Sequence, residues 1–158
     1  MCLVLGGMPA LAQGGATAVT ATSECQGVSD GTTETVDGVV QVTGMVVRCT
    51  DTASDPRMSG TTSLTLNWQR YGRHYLYWGT RETEGPDGTW AGTFIGRSDD
   101  VNTETEGWMT HVLEGTGDYA GWTYVGTDHV LLPDGTSEGL LYEGPAPPFG
   151  PLPSAASE

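Results

Sequence analysis

Apolar and polar residues alternate with a period of two along most of the chain, which is typical of β-strands with one buried face. In residues 61–70, for example, Leu64, Leu66 and Trp68 share one face and short polar residues share the other. Turn sequences such as Pro-Asp-Gly at 86–88 and 133–135 separate one alternating segment from the next. The pattern predicts about eight strands and no helix. The predicted strands are residues 16–22, 39–49, 61–70, 74–81, 89–96, 107–114, 120–130 and 137–142.

Consecutive strands joined by hairpin-length turns favour one antiparallel barrel, because closure leaves no exposed strand edge. Glycines inside the predicted strands fit a sheet that coils and bends. A sandwich of two sheets is the alternative. We therefore expect an all-β fold, a closed antiparallel β-barrel of about eight strands within residues 13–144. The proline-rich residues 145–158 cannot join a sheet and are predicted to form an extended, disordered tail.

The first residues and the cysteines predict a compartment. Residues 1–12 resemble the end of a secretory signal, since an apolar run leads into the small-x-small pattern Ala-Leu-Ala, although no basic segment precedes it. Cleavage there leaves Cys25 and Cys49, which in an exported chain most simply form one disulfide. No other apolar run approaches the ~20 residues of a membrane-spanning helix. We expect a secreted or periplasmic protein without a membrane span.

The charge balance excludes one class of partner. The chain carries 6 basic and 20 acidic residues, a net charge of −14. Such a surface repels phosphate backbones, so we expect no nucleic-acid binding. The sequence also lacks the serine-hydrolase elbow, the phosphate-binding loop, the Gly-rich dinucleotide turn and the His-Glu-x-x-His motif. The usual hydrolase, nucleotide-binding and metalloprotease classes therefore have no support.

Two features could bind a metal, but neither has the spacing of a metal site. The three histidines lie on three different predicted strands: His74, His111 and His129. They could converge inside a barrel, but nothing in their spacing demands it. In the acidic loop 98–106, oxygen-bearing side chains alternate at Asp100, Asn102 and Glu104, but the loop lacks the glycine and downstream glutamate of a helix-loop-helix calcium site. We predict neither a metal nor a cofactor.

Aromatic residues recur on the predicted strands and could line a cavity for a hydrophobic ligand. The candidate ligand-binding residues are Trp68, Tyr75, Trp78, Trp90, Trp108 and Tyr119. The same rings could instead fill the interior, because an eight-stranded barrel leaves room only for side chains or one small ligand. Both interpretations stay open at this point.

Glu82 is the candidate catalytic residue. Strand alternation places it on the same face as His74 and Trp78, and this face is taken as the inward one. Inside an apolar barrel a carboxyl group has a raised pKa and can act as a general acid or base. The alternative is a carboxylate at the rim of the barrel that faces water.

Three glycine- and aromatic-rich segments resemble one known family. They are Gly-Thr-Gly-Asp-Tyr-Ala-Gly at 115–121, Gly-Thr-Trp-Ala-Gly-Thr-Phe at 88–94, and residues 138–144 near the end. These segments look like strands of the allene oxide cyclase barrel-like family, which includes many uncharacterised secreted bacterial proteins. The resemblance covers residues 33–144, with Trp122 where the family has leucine. It implies an eight-stranded barrel with an apolar cavity, which in plant members holds a fatty-acid epoxide and guides its cyclisation. We match none of the plant catalytic residues to positions of this chain and therefore carry none of them over.

These observations lead to three hypotheses about function. We expect a secreted barrel that binds a small hydrophobic molecule in its interior, without chemistry of its own. The second hypothesis is a cyclase or isomerase, with Glu82 as acid or base. The third is a structural or cell-surface module with a filled core. The first two need a cavity of a few hundred Å³, and the third does not.

Overall fold

The computed structural model describes residues 15–98, 106–131 and 133–146, which form one sheet of nine antiparallel strands. A single turn of 3-10 helix, Pro56–Met58, follows the third strand. The strands are β1 (Thr17–Ser29), β2 (Thr32–Val36), β3 (Val39–Ala53), β4 (Gly60–Tyr71), β5 (His74–Glu84), β6 (Gly88–Ser98), β7 (Glu106–Gly117), β8 (Trp122–Leu131) and β9 (Asp134–Glu143). No helix in these ranges is long and apolar enough to cross a membrane.

Eight of the strands close into a barrel. Strands β3 to β9 pair in chain order, and β1 pairs with both β9 and β3. The short strand β2 pairs only with the beginning of β3. The structure therefore confirms the predicted closed antiparallel barrel.

The first two strands differ from the prediction. Strand β1 continues to Ser29, and β2 lies in a segment where no strand was expected. The inward positions in the second half of β1 are Ser23 and Cys25, and every residue of β2 is exposed. Neither segment therefore shows the apolar alternation from which a strand can be predicted.

The predicted disulfide between Cys25 and Cys49 is present. The two residues are directly opposite each other in the pairing of β1 with β3. This pairing brings the first strand of the barrel back to the rest of the sheet. The bond therefore links the two strands at which the barrel closes.

The interior contains two apolar clusters. The end cluster comprises Val19, Met58, Trp90, Leu113, Tyr119, Tyr124 and Leu141. The cavity cluster comprises Val47, Cys49, Leu64, Leu66, Phe94 and Met109. The next inward residues along β3 and β4 beyond the cavity cluster are polar, since Asp51 follows Cys49 and Thr62 precedes Leu64. A polar layer therefore lies between the two clusters.

Two glycines make room for a tyrosine ring beside this layer. Gly126 and Gly139 are directly opposite each other on β8 and β9. A Cβ atom at either position would lie 2.7 Å from the hydroxyl oxygen of Tyr124, closer than a real Cβ contact allows. The close approach leaves the Tyr124 hydroxyl 3.1 Å from Oγ of Ser137.

Candidate functional site

The barrel contains a cavity of about 380 Å³ next to the cavity cluster. This volume lies within the range of ligand-binding pockets, roughly 300–1,000 Å³. The wall is mainly apolar and includes Met45, Val47, Leu64, Leu66, Met109 and Val130. Asp30 and Thr33 are exposed and also line the cavity, which therefore opens to solvent at the end where β1 leads into β2.

Aromatic rings line the cavity near this opening. Trp68 on β4 contacts Tyr75 on β5 edge to face, with 5.3 Å between ring centroids. The ring of Tyr75 is parallel to that of Tyr77, with 6.2 Å between their centroids. Edge-to-face and offset pairs are favourable for aromatic rings. They give this part of the wall a defined shape.

The floor of the cavity is charged. Nη2 of Arg81 donates to Oδ2 of Asp51 at 2.7 Å, and Nη1 donates to Oδ2 of Asp128 at 2.9 Å. Arg81 and Asp51 are almost completely buried, with side-chain exposures of 7% and 2%. Buried charges must be paired, and a planar guanidinium can bridge two carboxylates in this way. All three residues line the cavity.

Hydroxyl groups complete the floor. Oγ of Ser23 donates to Oδ1 of Asp51 at 2.6 Å, and Oγ1 of Thr62 donates to Oδ2 of Asp51 at 2.5 Å. The Thr62 hydroxyl has then used its single proton, so in the contact between Oγ1 of Thr83 and Oγ1 of Thr62, at 2.6 Å, Thr83 is the donor. Oγ1 of Thr83 in turn accepts from Nε of Arg81 at 3.3 Å. We call Ser23, Asp51, Thr62, Arg81, Thr83 and Asp128 the polar layer.

His111 lies against this layer. Its ring is 1% exposed, packs on the Tyr124 ring with 5.3 Å between centroids, and places Nδ1 3.5 Å from Oδ2 of Asp128. Neither ring nitrogen has a hydrogen-bond partner within the described ranges, and neither has Oδ1 of Asp128. Burial lowers the pKa of the His111 ring to about 4, against a smaller opposing effect of Asp128. The ring is therefore uncharged at neutral pH.

This burial predicts a pH dependence of stability. The folded protein resists protonation of His111 until the pH approaches 4, whereas an unfolded histidine protonates near 6.5. Lowering the pH therefore favours the unfolded state. Between pH 7 and pH 5 we expect the wild type to lose about 2 kcal/mol more unfolding free energy than His111→Phe. Urea denaturation at each pH measures the difference, with His74→Phe at an exposed position as the control. Equal losses in the wild type and His111→Phe would contradict the prediction.

The structure separates the six predicted aromatic residues into three groups. Trp68 and Tyr75 line the cavity. Trp90 and Tyr119 stack in the end cluster, with 5.1 Å between ring centroids, and do not line it. Trp78 and Trp108 are on the outer surface, 37% and 43% exposed. Of the six candidate ligand-binding residues, Trp68 and Tyr75 therefore line the cavity and the other four do not.

The predicted orientation of Glu82 is also wrong. Glu82 is exposed on the outer face of β5, and the flanking residues Arg81 and Thr83 are buried inside. The sequence analysis chose the wrong phase of alternation for this strand, because Trp78 on the same face was taken as an interior residue. The inward phase begins instead at Tyr75.

The histidines do not form a metal site. His74 is exposed, His111 is buried, and Nε2 of His129 lies 3.0 Å from Oε1 of Glu106. Within the described residues, no three His, Cys, Asp or Glu side chains are grouped so that they could hold a metal ion. The acidic-loop oxygens at Asp100, Asn102 and Glu104 lie outside the described residues.

The sequence analysis missed the polar layer. Asp51, Arg81 and Asp128 lie on β3, β5 and β8, and none belongs to a recognisable motif. One signal was available for Arg81, because an even number of positions separates it from Tyr75 and Tyr77 and places all three on the same face of β5. This signal did not decide the question, because Glu82 is in phase with Trp78 in the same way.

Comparisons with protein-family models, curated proteins and solved structures found no significant match. The resemblance to the allene oxide cyclase barrel-like family therefore remains a prediction from the sequence.

Proposed function

We propose that this barrel binds a small hydrophobic molecule in its interior. The observation that carries the proposal is the solvent-connected cavity of about 380 Å³ with a mainly apolar wall. Protein interiors are normally packed with few voids larger than a water molecule, because an empty apolar space forfeits dispersion contacts. The other end of the same barrel is filled by the end cluster, so the fold can be packed solidly.

The composition of the cavity wall supports the same function. Gly107 and Gly135 line the cavity at positions where larger side chains would occupy part of it. Aromatic and aliphatic walls with a few polar groups are the usual lining of small-molecule sites. An apolar ligand here would remove both its own surface and the wall from water.

Filling the cavity tests the proposal. Leu66 lines the cavity, and its neighbour Thr65 is exposed on the outer face of the same strand. We expect Leu66→Trp to weaken binding of the neutral fluorescent probe N-phenyl-1-naphthylamine by about tenfold or more, because the indole occupies the probe's space. Thr65→Trp adds the same side chain outside the barrel and is expected to bind the probe like the wild type. Fluorescence titration measures both.

Two results would contradict the proposal. The first is a wild-type protein that does not bind the probe, and the second is equal binding by Leu66→Trp and Thr65→Trp. Organic extracts of the purified protein, analysed by mass spectrometry against a mock purification, would identify a ligand acquired during expression.

We also propose that the protein is exported. The disulfide between Cys25 and Cys49 supports this, because such bonds persist in oxidising compartments and are rare in the cytosol. The test is fractionation of the source cells, followed by determination of the N-terminus. Recovery outside the cytoplasm with an N-terminus at Gln13 is the expected result. Recovery in the cytoplasm with both thiols free would overturn it.

A further inference from the structure

We propose that the polar layer selects ligands by their head group, so that the buried end of the ligand is an amine or a hydroxyl and not a carboxylate. This inference rests on the proposed function, because it concerns the same cavity. It names the chemical class of the ligand: a hydrophobic chain or ring system that ends in an uncharged or positively charged hydrogen-bond donor. A fatty acid is excluded by the same features.

The charges at the floor support this selection. Arg81 contributes +1, and Asp51 and Asp128 contribute −1 each, so their sum is −1. His111 adds no charge at neutral pH, because burial keeps its ring unprotonated. Two more acids line the cavity, Asp30 and Glu106. Among the residues described as lining it, Arg81 is the only Lys or Arg, and it is already shared by two carboxylates.

The hydrogen bonds at the floor lead to the same conclusion. Both carboxylate oxygens of Asp51 already accept bonds, from Ser23, Thr62 and Arg81. Asp128 accepts from Arg81 through Oδ2, and its Oδ1 is buried without a partner in the described part of the chain. A buried acceptor without a donor costs free energy. The polar layer therefore has an unused acceptor on Asp128, a residue that lines the cavity, and a ligand donor can satisfy it.

A hydroxyl or an amine meets these conditions, and a carboxylate does not. Arg81 uses three of its five N–H groups in the bonds described, so a hydroxyl oxygen can still accept from the guanidinium while its proton goes to Asp128. A protonated amine donates to Asp128 and offsets the excess negative charge. A ligand carboxylate would have to lose its hydration next to two carboxylates, where like charges repel strongly because the surroundings are apolar.

Three ligands with the same chain and different head groups test the inference: decylamine, 1-decanol and decanoate. Each is used at neutral pH to displace N-phenyl-1-naphthylamine from the wild-type protein, with decylamine and decanoate below their critical micelle concentrations and 1-decanol below its solubility in water. We expect decylamine and 1-decanol to displace the probe at concentrations about tenfold or more below that of decanoate. Decanoate binding as tightly as either of the others would overturn the inference and leave the proposed function intact. If neither the probe nor any of the ligands binds, the proposed function itself fails.

A variant locates the selection at the floor. Asp128→Asn has almost the same shape and brings the sum of charges at the floor to zero. We expect the preference for decylamine over decanoate to shrink by about tenfold in this variant. Glu82→Gln removes the same charge from the outer face of β5 and is expected to keep the wild-type preference. Equal preferences in Asp128→Asn and Glu82→Gln would show that the polar layer does not select the ligand. If Asp128→Asn does not fold, the order of the three ligands on the wild type still decides the inference.

Discussion

Replacing Arg81 by methionine is expected to lower the free energy of unfolding by about 3–5 kcal/mol, because it leaves two buried carboxylates without their cation. Asp51 is 2% exposed and Asp128 is 14% exposed, so water cannot replace the guanidinium fully at either carboxylate. The substitution also removes Nε of Arg81, which donates a hydrogen bond to Oγ1 of Thr83. Urea denaturation at neutral pH measures the change, with the wild type as the reference.

Two further variants make this prediction specific. Arg48→Met changes an exposed arginine of β3 and is expected to alter stability by no more than about 0.5 kcal/mol. Arg81→Lys keeps the charge but not the planar fork, so we expect a loss smaller than that of Arg81→Met. If Arg81→Met lost no more than Arg48→Met, the ion pairs of the polar layer would not contribute to stability.

The second large effect on the free energy of unfolding is expected when the disulfide is removed. The double variant Cys25→Ala/Cys49→Ala is expected to lose about 3 kcal/mol of unfolding free energy. The bonded cysteines are 24 positions apart, and the bond restricts the unfolded chain by closing that loop. In the folded state the variant still has the ladder between β1 and β3, so we expect the same barrel with lower stability. Urea denaturation measures the loss, and circular dichroism checks that the strand content is retained.

The reducing agent provides the matched control. Dithiothreitol should lower the stability of the wild type toward that of the double variant, and it should leave the double variant unchanged. If the wild type resists unfolding equally well with and without the reductant while its thiols are shown to be free, the bond does not stabilise the barrel.

The cavity wall could be predicted in part. In β4, the alternation of Leu64, Leu66 and Trp68 identified the inward face correctly, because three large apolar residues share it and small polar residues occupy the other. In β5 both faces carry aromatic residues, Tyr75 and Tyr77 on one and Trp78 on the other. Alternation alone does not say which of two such faces is inside. The wrong choice assigned Glu82 to the interior and Arg81 to the outer surface.

Whether the barrel is open or filled was left undecided by the sequence. The answer depends on the total volume of the inward side chains from all eight strands at each level along the barrel axis. At one level Trp90, Tyr119 and Leu113 meet and fill the space. At another, Gly107 and Gly135 are the register partners of Val130 on the two neighbouring strands, and a cavity remains. The strand register determines these levels, and it is not visible in any one segment.

The sequence by itself determined the all-β class and favoured the barrel over a sandwich, because these follow from local alternation and turn residues. It also predicted the disulfide, because Cys25 and Cys49 are the two cysteines that remain in an exported chain after signal cleavage. It also determined the acidic character of the protein. Only the tertiary structure decided which face of β5 is inside and which side chains meet at the floor of the cavity. Arg81 lies 30 positions from Asp51 and 47 from Asp128, and these residues become neighbours only because closure of the barrel brings their strands around one interior. A buried charge is stable only with its partners, so the polar layer is a property of the closed barrel and not of any single strand.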